Sequence, residues 1–238
     1  MLRKRSSSMN SNIQLLVLPH AVGSLGSYIK FKKIKNLNLI NYELPGRGTR
    51  FGENIKDMSQ ITNEAIEYID FSREYILFGH SMGALIAYEI CCAIEEGNFP
   101  KPIKIILSGQ NPPVFNEELN DFKIFTIDES INYFGEMGGT SKEVLNNTEM
   151  MDIYTDILNK DLLFLNQYLK KFQFKKIETD LEIWFGKEDE SLSTKNRSNW
   201  KNFTNGKCDF LQFEGGHFYI NELLLDTPKL SNLLGVVS

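Results

Sequence analysis

One serine of this sequence stands in a setting that suits nucleophilic catalysis. Ser81 lies between Gly79 and Gly83, after an apolar strand-like run and before a helical pattern that begins at Met82. Glycines two residues to either side let a strand and a helix approach closely, while the serine adopts a strained backbone and exposes its hydroxyl. A Gly-x-Ser-x-Gly pattern is common by chance, but this strand–turn–helix context favours Ser81 as a nucleophile over a structural turn.

A serine hydroxyl needs a base to take its proton, and the chain has three histidines. His80 adjoins Ser81, so its side chain should point away, and we expect it to be a packed histidine. His20 follows the first strand, where a base would reverse the chain order Ser, acid, His that is usual in hydrolases. His217 lies in a glycine-flanked loop after the last strand. It can reach over the carboxyl edge of a sheet there, and it is our candidate base.

A catalytic histidine needs a carboxylate that sets its tautomer and stabilises the imidazolium. Glu188, Asp189 and Glu190 follow a strand-like run and precede His217, which gives the order Ser, acid, His. A loop of three carboxylates can also be simply solvated. We choose Asp189, and its two neighbours remain alternatives.

Attack on an acyl group produces an oxyanion, which backbone N–H groups usually stabilise. The residue after the nucleophile supplies one such group, here Met82, and the loop after an early strand supplies the other, here residues 19–24. No His or Cys pair stands at the spacing of metal ligands, and no glycine-rich stretch matches a phosphate-binding loop. We therefore expect neither a metal nor a cofactor.

These residues must be positioned by alternating strands and helices. Apolar runs closed by Gly, Pro, Asn or Ser predict strands at residues 13–18, 37–42, 75–78, 103–107, 181–185 and 208–213. Helical periodicity falls at residues 60–69 and 82–95. The alternation predicts an α/β fold, a mostly parallel sheet with helices on both faces.

The stretch between the strands at 103–107 and 181–185 is longer than one crossover needs. It holds helical patterns at 149–158 and 162–172, with residues 153, 154, 157 and 158 on a predicted apolar face and residues 152, 155, 156 and 159 on a polar one. We interpret residues 115–172 as an inserted helical lid over the binding crevice, with extra scaffold as the alternative. Residues 1–12 should be a disordered tail, and residues 13–238 a single domain.

Composition excludes several functional classes. The 26 basic and 31 acidic residues give a net charge of −5, which offers no electrostatic reason to bind nucleic acid or an anionic membrane. No apolar run approaches the roughly 20 residues of a membrane span, and no secretory signal is recognisable. The three cysteines show no disulfide framework, which fits a reducing compartment. We expect a cytoplasmic monomer.

Six motifs together resemble a known family. They are Leu-Pro-His-Ala-Val-Gly-Ser at 18–24, Glu-Leu-Pro-Gly-Arg-Gly-Thr-Arg at 43–50, Gly-His-Ser-Met-Gly-Ala at 79–84, Leu-Ser-Gly at 107–109, Gly-Lys-Glu-Asp at 186–189 and Gly-Gly-His-Phe at 215–218. Their order and spacing, from about residue 13 to 225, resemble the type II thioesterases of nonribosomal peptide and polyketide synthesis, which are α/β-hydrolases.

The resemblance implies hydrolysis of acyl or aminoacyl thioesters from the phosphopantetheine arm of an acyl or peptidyl carrier protein. It implies Ser81 as nucleophile, His217 as base, Asp189 as the acid that orients it, and an oxyanion hole made by the backbone N–H groups of Met82 and Ala21. Residues 135–161 resemble the family's lid.

Two positions depart from the family pattern. Val22 replaces a usual glycine, and a β-branched residue resists positive φ. Glu190 replaces the usual proline after the acid.

Two other functions remain open. One is a carboxylesterase or lipase-like hydrolase of small esters, and the other is a hydrolase fold kept for binding. Carrier proteins are typically acidic, so a carrier-dependent enzyme of negative net charge needs a local basic surface. The candidates are Arg47 and Arg50, or Lys170, Lys171, Lys175 and Lys176.

Overall fold

The computed structural model describes residues 12–113, 123–192 and 194–236. Within these ranges the strands are β1 (Ile13–Leu18), β2 (Leu37–Leu39), β3 (Tyr75–His80), β4 (Lys104–Ser108), β5 (Leu181–Gly186) and β6 (Cys208–Phe213). They form one sheet in the order β2-β1-β3-β4-β5-β6, and every neighbouring pair is parallel. The predicted α/β sheet is confirmed. Because all strands run the same way, the loops after them meet at one carboxyl edge.

The predicted strand bounds agree with the structure at β1 and β6 and differ by a few residues elsewhere. The largest difference is at β2, which ends at Leu39 although the pattern predicts a strand to residue 42. This strand lies at the sheet edge and pairs with β1 alone. After the Ile40 N–H donates to the Leu15 carbonyl at 2.9 Å, the chain leaves the sheet.

Helices cover both faces of the sheet, as predicted. On one face α1 (Met58–Glu67), α2 (Met82–Glu96) and a 3₁₀ helix (Ser198–Phe203) pack against the strands. On the other face lie a 3₁₀ helix (Leu25–Lys33), α7 (Ile220–Leu223) and α8 (Thr227–Leu234). A short 3₁₀ turn (Gly48–Arg50) and α6 (Thr194–Arg197) complete the helices outside the insertion. No helix among these described ranges combines the length and the apolar character that crossing a membrane requires.

The insertion contains α3 (Ile127–Met137), α4 (Lys142–Leu145) and α5 (Thr148–Lys171). The prediction of two separate helical stretches, 149–158 and 162–172, is wrong, because α5 is one helix of 24 residues. None of Asn159, Lys160 and Asp161, the residues between the two predicted stretches, is a helix breaker, and Lys160 pairs with Asp156 one turn earlier. Residues 1–11 of the predicted tail (1–12) and residues 115–122 of the predicted lid (115–172) lie outside the described residues.

The buried face of α5 agrees with the predicted one at Ile157 and Leu158, which are buried, and differs from it at two positions. Ile153 is 43% exposed, whereas Thr155, assigned to the polar face, is buried. Met151 and Leu158 pack with Phe134 of α3 in a small separate cluster. Residues 151, 155 and 158 follow one another at helical spacing, so α5 presents that stripe to α3.

Candidate active site

The backbone at Ser81 makes a sharp turn between β3 and α2. Ser81 has φ 54° and ψ −121°, a conformation that costs free energy in a non-glycine residue. A Cβ atom on Gly79 would lie 2.0 Å from the Gly83 carbonyl oxygen, and one on Gly83 would lie 2.0 Å from that of Leu18. Only glycine allows this approach of strand and helix. The turn has the geometry that the sequence predicts for a nucleophile.

A buried Asp–His pair lies after β5 and β6. The His217 Nδ1–H donates to Asp189 Oδ2 at 2.8 Å, and the side chains are 7% and 1% exposed. Glu188 and Glu190, the alternatives, are exposed. The Glu188 N–H donates to the Gly215 carbonyl at 3.0 Å, which joins the two loops. The hydrogen bond at Nδ1 leaves His217 Nε2 free to accept a proton.

Ser191 is a residue that the motif search missed. Its N–H and Oγ–H donate to Asp189 Oδ1 at 3.1 and 2.5 Å, and its Oγ is also 3.2 Å from His217 Nδ1. Burial raises the pKa of Asp189, but the hydrogen bond and charge of His217 and the bonds from Ser191 hold that pKa below its usual value. An Asp followed two residues later by Ser is a common turn pattern, and this pattern is the sequence signal that could have identified Ser191.

The other two histidines are packed, neutral side chains. His80 is fully buried with Nδ1 2.8 Å from the Ser108 hydroxyl, and His20 Nδ1 is 2.8 Å from the Tyr28 hydroxyl. Burial, together with the charges of His217 and Arg47, lowers the pKa of His20 to about 3. Burial and the other two histidines lower the pKa of His80 well below its usual value.

The loop after β1 faces the same cavity as Ser81. The Gly23 N–H donates to the His20 carbonyl at 2.9 Å, which closes a turn with Ala21 and Val22 at its centre. Val22 has φ 68°, so it adopts the positive φ that β-branched residues resist. Met82 is the first residue of α2, where backbone N–H groups have no acceptor within the helix.

A cavity of about 300 Å³ lies between the carboxyl edge of the sheet and the inserted helices. Ser81, His217 and Ala21 line its floor, and the ring of Phe218 lies against Gly139 of the α3–α4 connection. Other lining residues are Tyr133, Phe134, Met137, Val144 and Tyr154. The cavity therefore offers an apolar wall opposite the candidate nucleophile. Among the described residues no group of three or more His, Cys, Asp or Glu side chains could hold a metal ion.

One of the predicted basic surfaces is wrong. Arg47 is 3% exposed and bonds bidentately to Asp161, so it cannot meet a partner. Arg50 is paired with Glu53 and Glu64. Of the second group, Lys175 pairs with Glu96, whereas Lys170, Lys171 and Lys176 are exposed.

A parallel sheet, a sharp turn that carries a serine between a central strand and its helix, and an Asp–His pair after the last two strands define an α/β-hydrolase. The sequence model described as Thioesterase domain matches residues 13–230, and the chain belongs to this family. The fold and the thioesterase family predicted from the motifs are confirmed, and membership indicates a serine hydrolase with thioesterase activity.

Individual relatives are distant but cover most of the chain. The gramicidin S biosynthesis protein GrsT of Aneurinibacillus migulanus is 24% identical over 225 residues, which are 91% of this chain and 87% of GrsT. The medium-chain S-acyl fatty acid synthase thioesterase of Homo sapiens is 29% identical over 197 residues, 77% of this chain and 71% of that protein. The structure of the RedJ thioesterase from the prodiginine pathway of Streptomyces coelicolor has the same fold, with a TM-score of 0.78, 21% identity and coverage of 91% and 89%.

Proposed function

We propose that this chain is a type II thioesterase, which hydrolyses acyl or aminoacyl thioesters from the phosphopantetheine arm of a carrier protein in nonribosomal peptide or polyketide assembly. The observation that carries the proposal is the buried hydrogen bond from His217 to Asp189 beside the cavity that Ser81 lines. The similarity to GrsT, a gramicidin S biosynthesis protein, and to RedJ, a thioesterase from the prodiginine biosynthetic pathway, supports the substrate class.

The reaction consists of two acyl transfers. His217 Nε2 takes the proton of Ser81 as its Oγ attacks the thioester carbonyl, and the Met82 and Ala21 N–H groups stabilise the oxyanion. The protonated His217 then gives its proton to the departing thiol, which leaves an ester on Ser81. Water activated by His217 cleaves that ester by the same route. Asp189 keeps the His217 tautomer and stabilises the imidazolium throughout. No cofactor takes part.

The remaining predictions fit this function. Residues 13–238 act as one domain in which α3, α4 and α5 form the lid over the acyl group, since their side chains line the cavity wall. The thioesterase acts as a monomer in the cytoplasm, where its free cysteines stay reduced. Its partner is an acyl or peptidyl carrier protein, and the net charge of −5 favours no nucleic acid.

The test of the nucleophile is covalent labelling. Wild type mixed with a slow acyl thioester should gain the acyl mass on the peptide that contains Ser81, and Ser81→Ala should gain none. Ser27→Ala is the matched control, because Ser27 lines the same cavity. Label on another residue overturns the assignment.

The test of the substrate class compares an acyl-carrier protein with a small oxyester. We expect kcat/KM at least about tenfold higher for an acyl-carrier protein than for a small oxyester with the same acyl group, because only the carrier adds contacts outside the cavity. The reverse preference would identify a carboxylesterase, and absence of turnover and labelling would identify a binding protein.

A further inference from the structure

We propose that Arg47 and Asp161 are positioning residues that hold the oxyanion loop, residues 19–23, in its working conformation. The inference rests on the proposed function, in which the Ala21 N–H is an oxyanion donor. Neither side chain lines the cavity, so both act through the loop.

The two side chains form a buried bidentate ion pair. Arg47 Nη1–H donates to Asp161 Oδ2 at 2.8 Å and Nη2–H donates to Oδ1 at 2.5 Å, with the side chains 3% and 0% exposed. Arg47 Nε–H also donates to the Pro45 carbonyl at 3.2 Å. A bidentate pair of this kind has a defined geometry, and burial removes the competing water.

Both partners of the pair also bond to the oxyanion loop. The Val22 N–H donates to Asp161 Oδ2 at 2.7 Å, and Arg47 Nη1–H reaches the Gly23 carbonyl at 3.4 Å. The ion pair therefore offers an acceptor and a donor to two successive residues of the loop. These contacts lie directly beside Ala21.

The Val22 contact has a conformational reason. The turn from His20 to Gly23 has φ 68° at its third residue, as in a type II turn, a position that glycine or asparagine normally occupies. A type I turn would need no positive φ, but it would rotate the Ala21–Val22 peptide and point the Val22 N–H elsewhere. The Asp161 carboxylate accepts a hydrogen bond from the Val22 N–H only when the Ala21–Val22 peptide is rotated so that this N–H faces the carboxylate. It thus holds valine in a conformation that valine resists.

The ion pair connects the loop to the inserted helices. Asp161 lies in the middle of α5, and Tyr154, two turns earlier on that helix, lines the cavity. One helix therefore supplies both a wall of the acyl cavity and the acceptor that shapes the oxyanion loop. The loop has its working shape only while α5 is seated against it.

The decisive experiment replaces the ion pair without leaving a buried charge. Arg47→Met with Asp161→Leu exchanges the two charged groups for apolar ones of similar size, a change that often leaves stability intact. This double variant is compared with wild type, with Val22→Gly, and with the triple variant that combines all three changes. Glycine adopts positive φ without steric cost, so Val22→Gly should remove the need for the pair.

We expect the double variant to lose about 10- to 100-fold in kcat with KM within about threefold, because the loop that carries the Ala21 N–H is no longer held in one conformation while acyl binding is retained. Val22→Gly is the reference for the triple variant, which should stay within about threefold of Val22→Gly and recover at least about tenfold over the double variant. A merely structural role would not be rescued by glycine at 22. Wild-type kcat in the folded double variant, or no recovery in the triple variant, overturns the proposal.

Two further measurements keep the test decisive. If the double variant does not fold, Arg47→Lys and Arg47→Lys with Val22→Gly repeat the comparison with the charge retained. Hydrogen exchange of the Val22 amide needs no turnover, and we expect protection in wild type and its loss in the double variant. If the Val22 amide is protected in wild type and exposed in the double variant, but the wild type has no thioesterase activity, only the proposed function is contradicted. If the Val22 amide is equally protected in both proteins, the role of the ion pair is contradicted.

Discussion

Burial distinguishes Asp189 from the two glutamates beside it. All three residues carry a carboxylate in the same loop, but only Asp189 is enclosed and accepts hydrogen bonds from both His217 and Ser191. An enclosed carboxylate interacts more strongly with an imidazolium than one in water does. Position in the fold therefore favours Asp189 over the two glutamates as the proposed acid.

Asp189→Asn tests this assignment. We expect kcat on an acyl-pantetheine substrate to fall by up to about 10⁴-fold, because asparagine favours the wrong His217 tautomer. Glu188→Gln and Glu190→Gln are matched controls, and each should stay within about threefold of wild type. A loss at either glutamate equal to that of His217→Ala would show that the acid has been misplaced.

Two histidines with lowered pKa values, His20 and His80, make stability depend on pH. The folded-state pKa of His20, about 3, lies below the unfolded value of about 6.5, so the unfolded chain binds a proton that the native state does not bind. The free energy of unfolding is therefore unaffected by titration of His20 above pH 6.5, and it falls as the pH falls from 6.5 toward 3. His80 acts in the same direction.

We therefore expect the free energy of unfolding in urea to fall between pH 6.5 and 4.5, by up to about 1.4 kcal/mol per pH unit for His20. His20→Gln should reduce this slope, because glutamine keeps a hydrogen-bonding group but does not titrate. Tyr28→Phe removes the hydrogen-bond partner of His20 and should lower stability with the slope unchanged. Equal slopes in wild type and His20→Gln would contradict the pKa assignment.

Under the proposed function, the inserted helices decide which acyl groups fit. The wall of the cavity opposite Ser81 comes from α3, α4 and α5, and its residues are mostly aromatic or aliphatic, with the hydroxyl groups of Thr140 and Ser141 at the α3–α4 connection but no charged side chain that would select one chain. Uniform apolar contact binds many acyl groups similarly and discriminates weakly between chain lengths. We expect the wild type to prefer no single acyl group by more than roughly a thousandfold.

Val144→Trp tests the role of this wall. The larger side chain should occupy part of the cavity and lower kcat/KM for octanoyl-carrier protein by at least about tenfold, with acetyl-carrier protein nearly unchanged. Ile153→Trp is the control, because Ile153 is exposed on α5. A panel of acyl-carrier substrates gives the measurement. Equal losses on short and long chains would show that Val144 does not bound the acyl site.

The molecule as a whole is acidic, and carrier proteins are typically acidic too. Docking of a carrier protein therefore needs a local basic surface on this molecule. Burial removes Arg47 from consideration, and ion pairs occupy Arg50 and Lys175. Lys170 and Lys171 remain exposed at the end of α5, about 15 Å along the helix from Asp161 at 1.5 Å per residue. They are the candidate docking surface.

Lys170→Glu with Lys171→Glu should raise KM for acyl-carrier protein several-fold and leave free acyl-pantetheine unchanged, because charge reversal repels only the acidic carrier. Lys32→Glu with Lys33→Glu makes the same change of charge on the 3₁₀ helix of the opposite sheet face and serves as control. Equal effects of the two double variants, or an equal effect on both substrates, would refute docking at α5.

The amino-acid sequence determined the features that depend on near neighbours. Strand runs, the glycines around Ser81 and the order of serine, acid and histidine can be read within a few residues, because backbone preference and hydrophobic period are local. Since parallel strands end at one edge, this local information also predicted that Ser81, Asp189 and His217 lie on one side of the sheet.

Packing between distant segments decided the rest. Arg47 and Asp161 are separated by 114 residues, and nothing local predicts that they pair or that Asp161 accepts the Val22 N–H. The sequence pattern predicts two helical stretches with Asp161 between them, whereas the fold buries this residue inside one continuous helix. Whether a charged side chain faces water or a partner is a property of the surfaces that meet around it. Those surfaces exist only after α5 packs over the loop that follows β1.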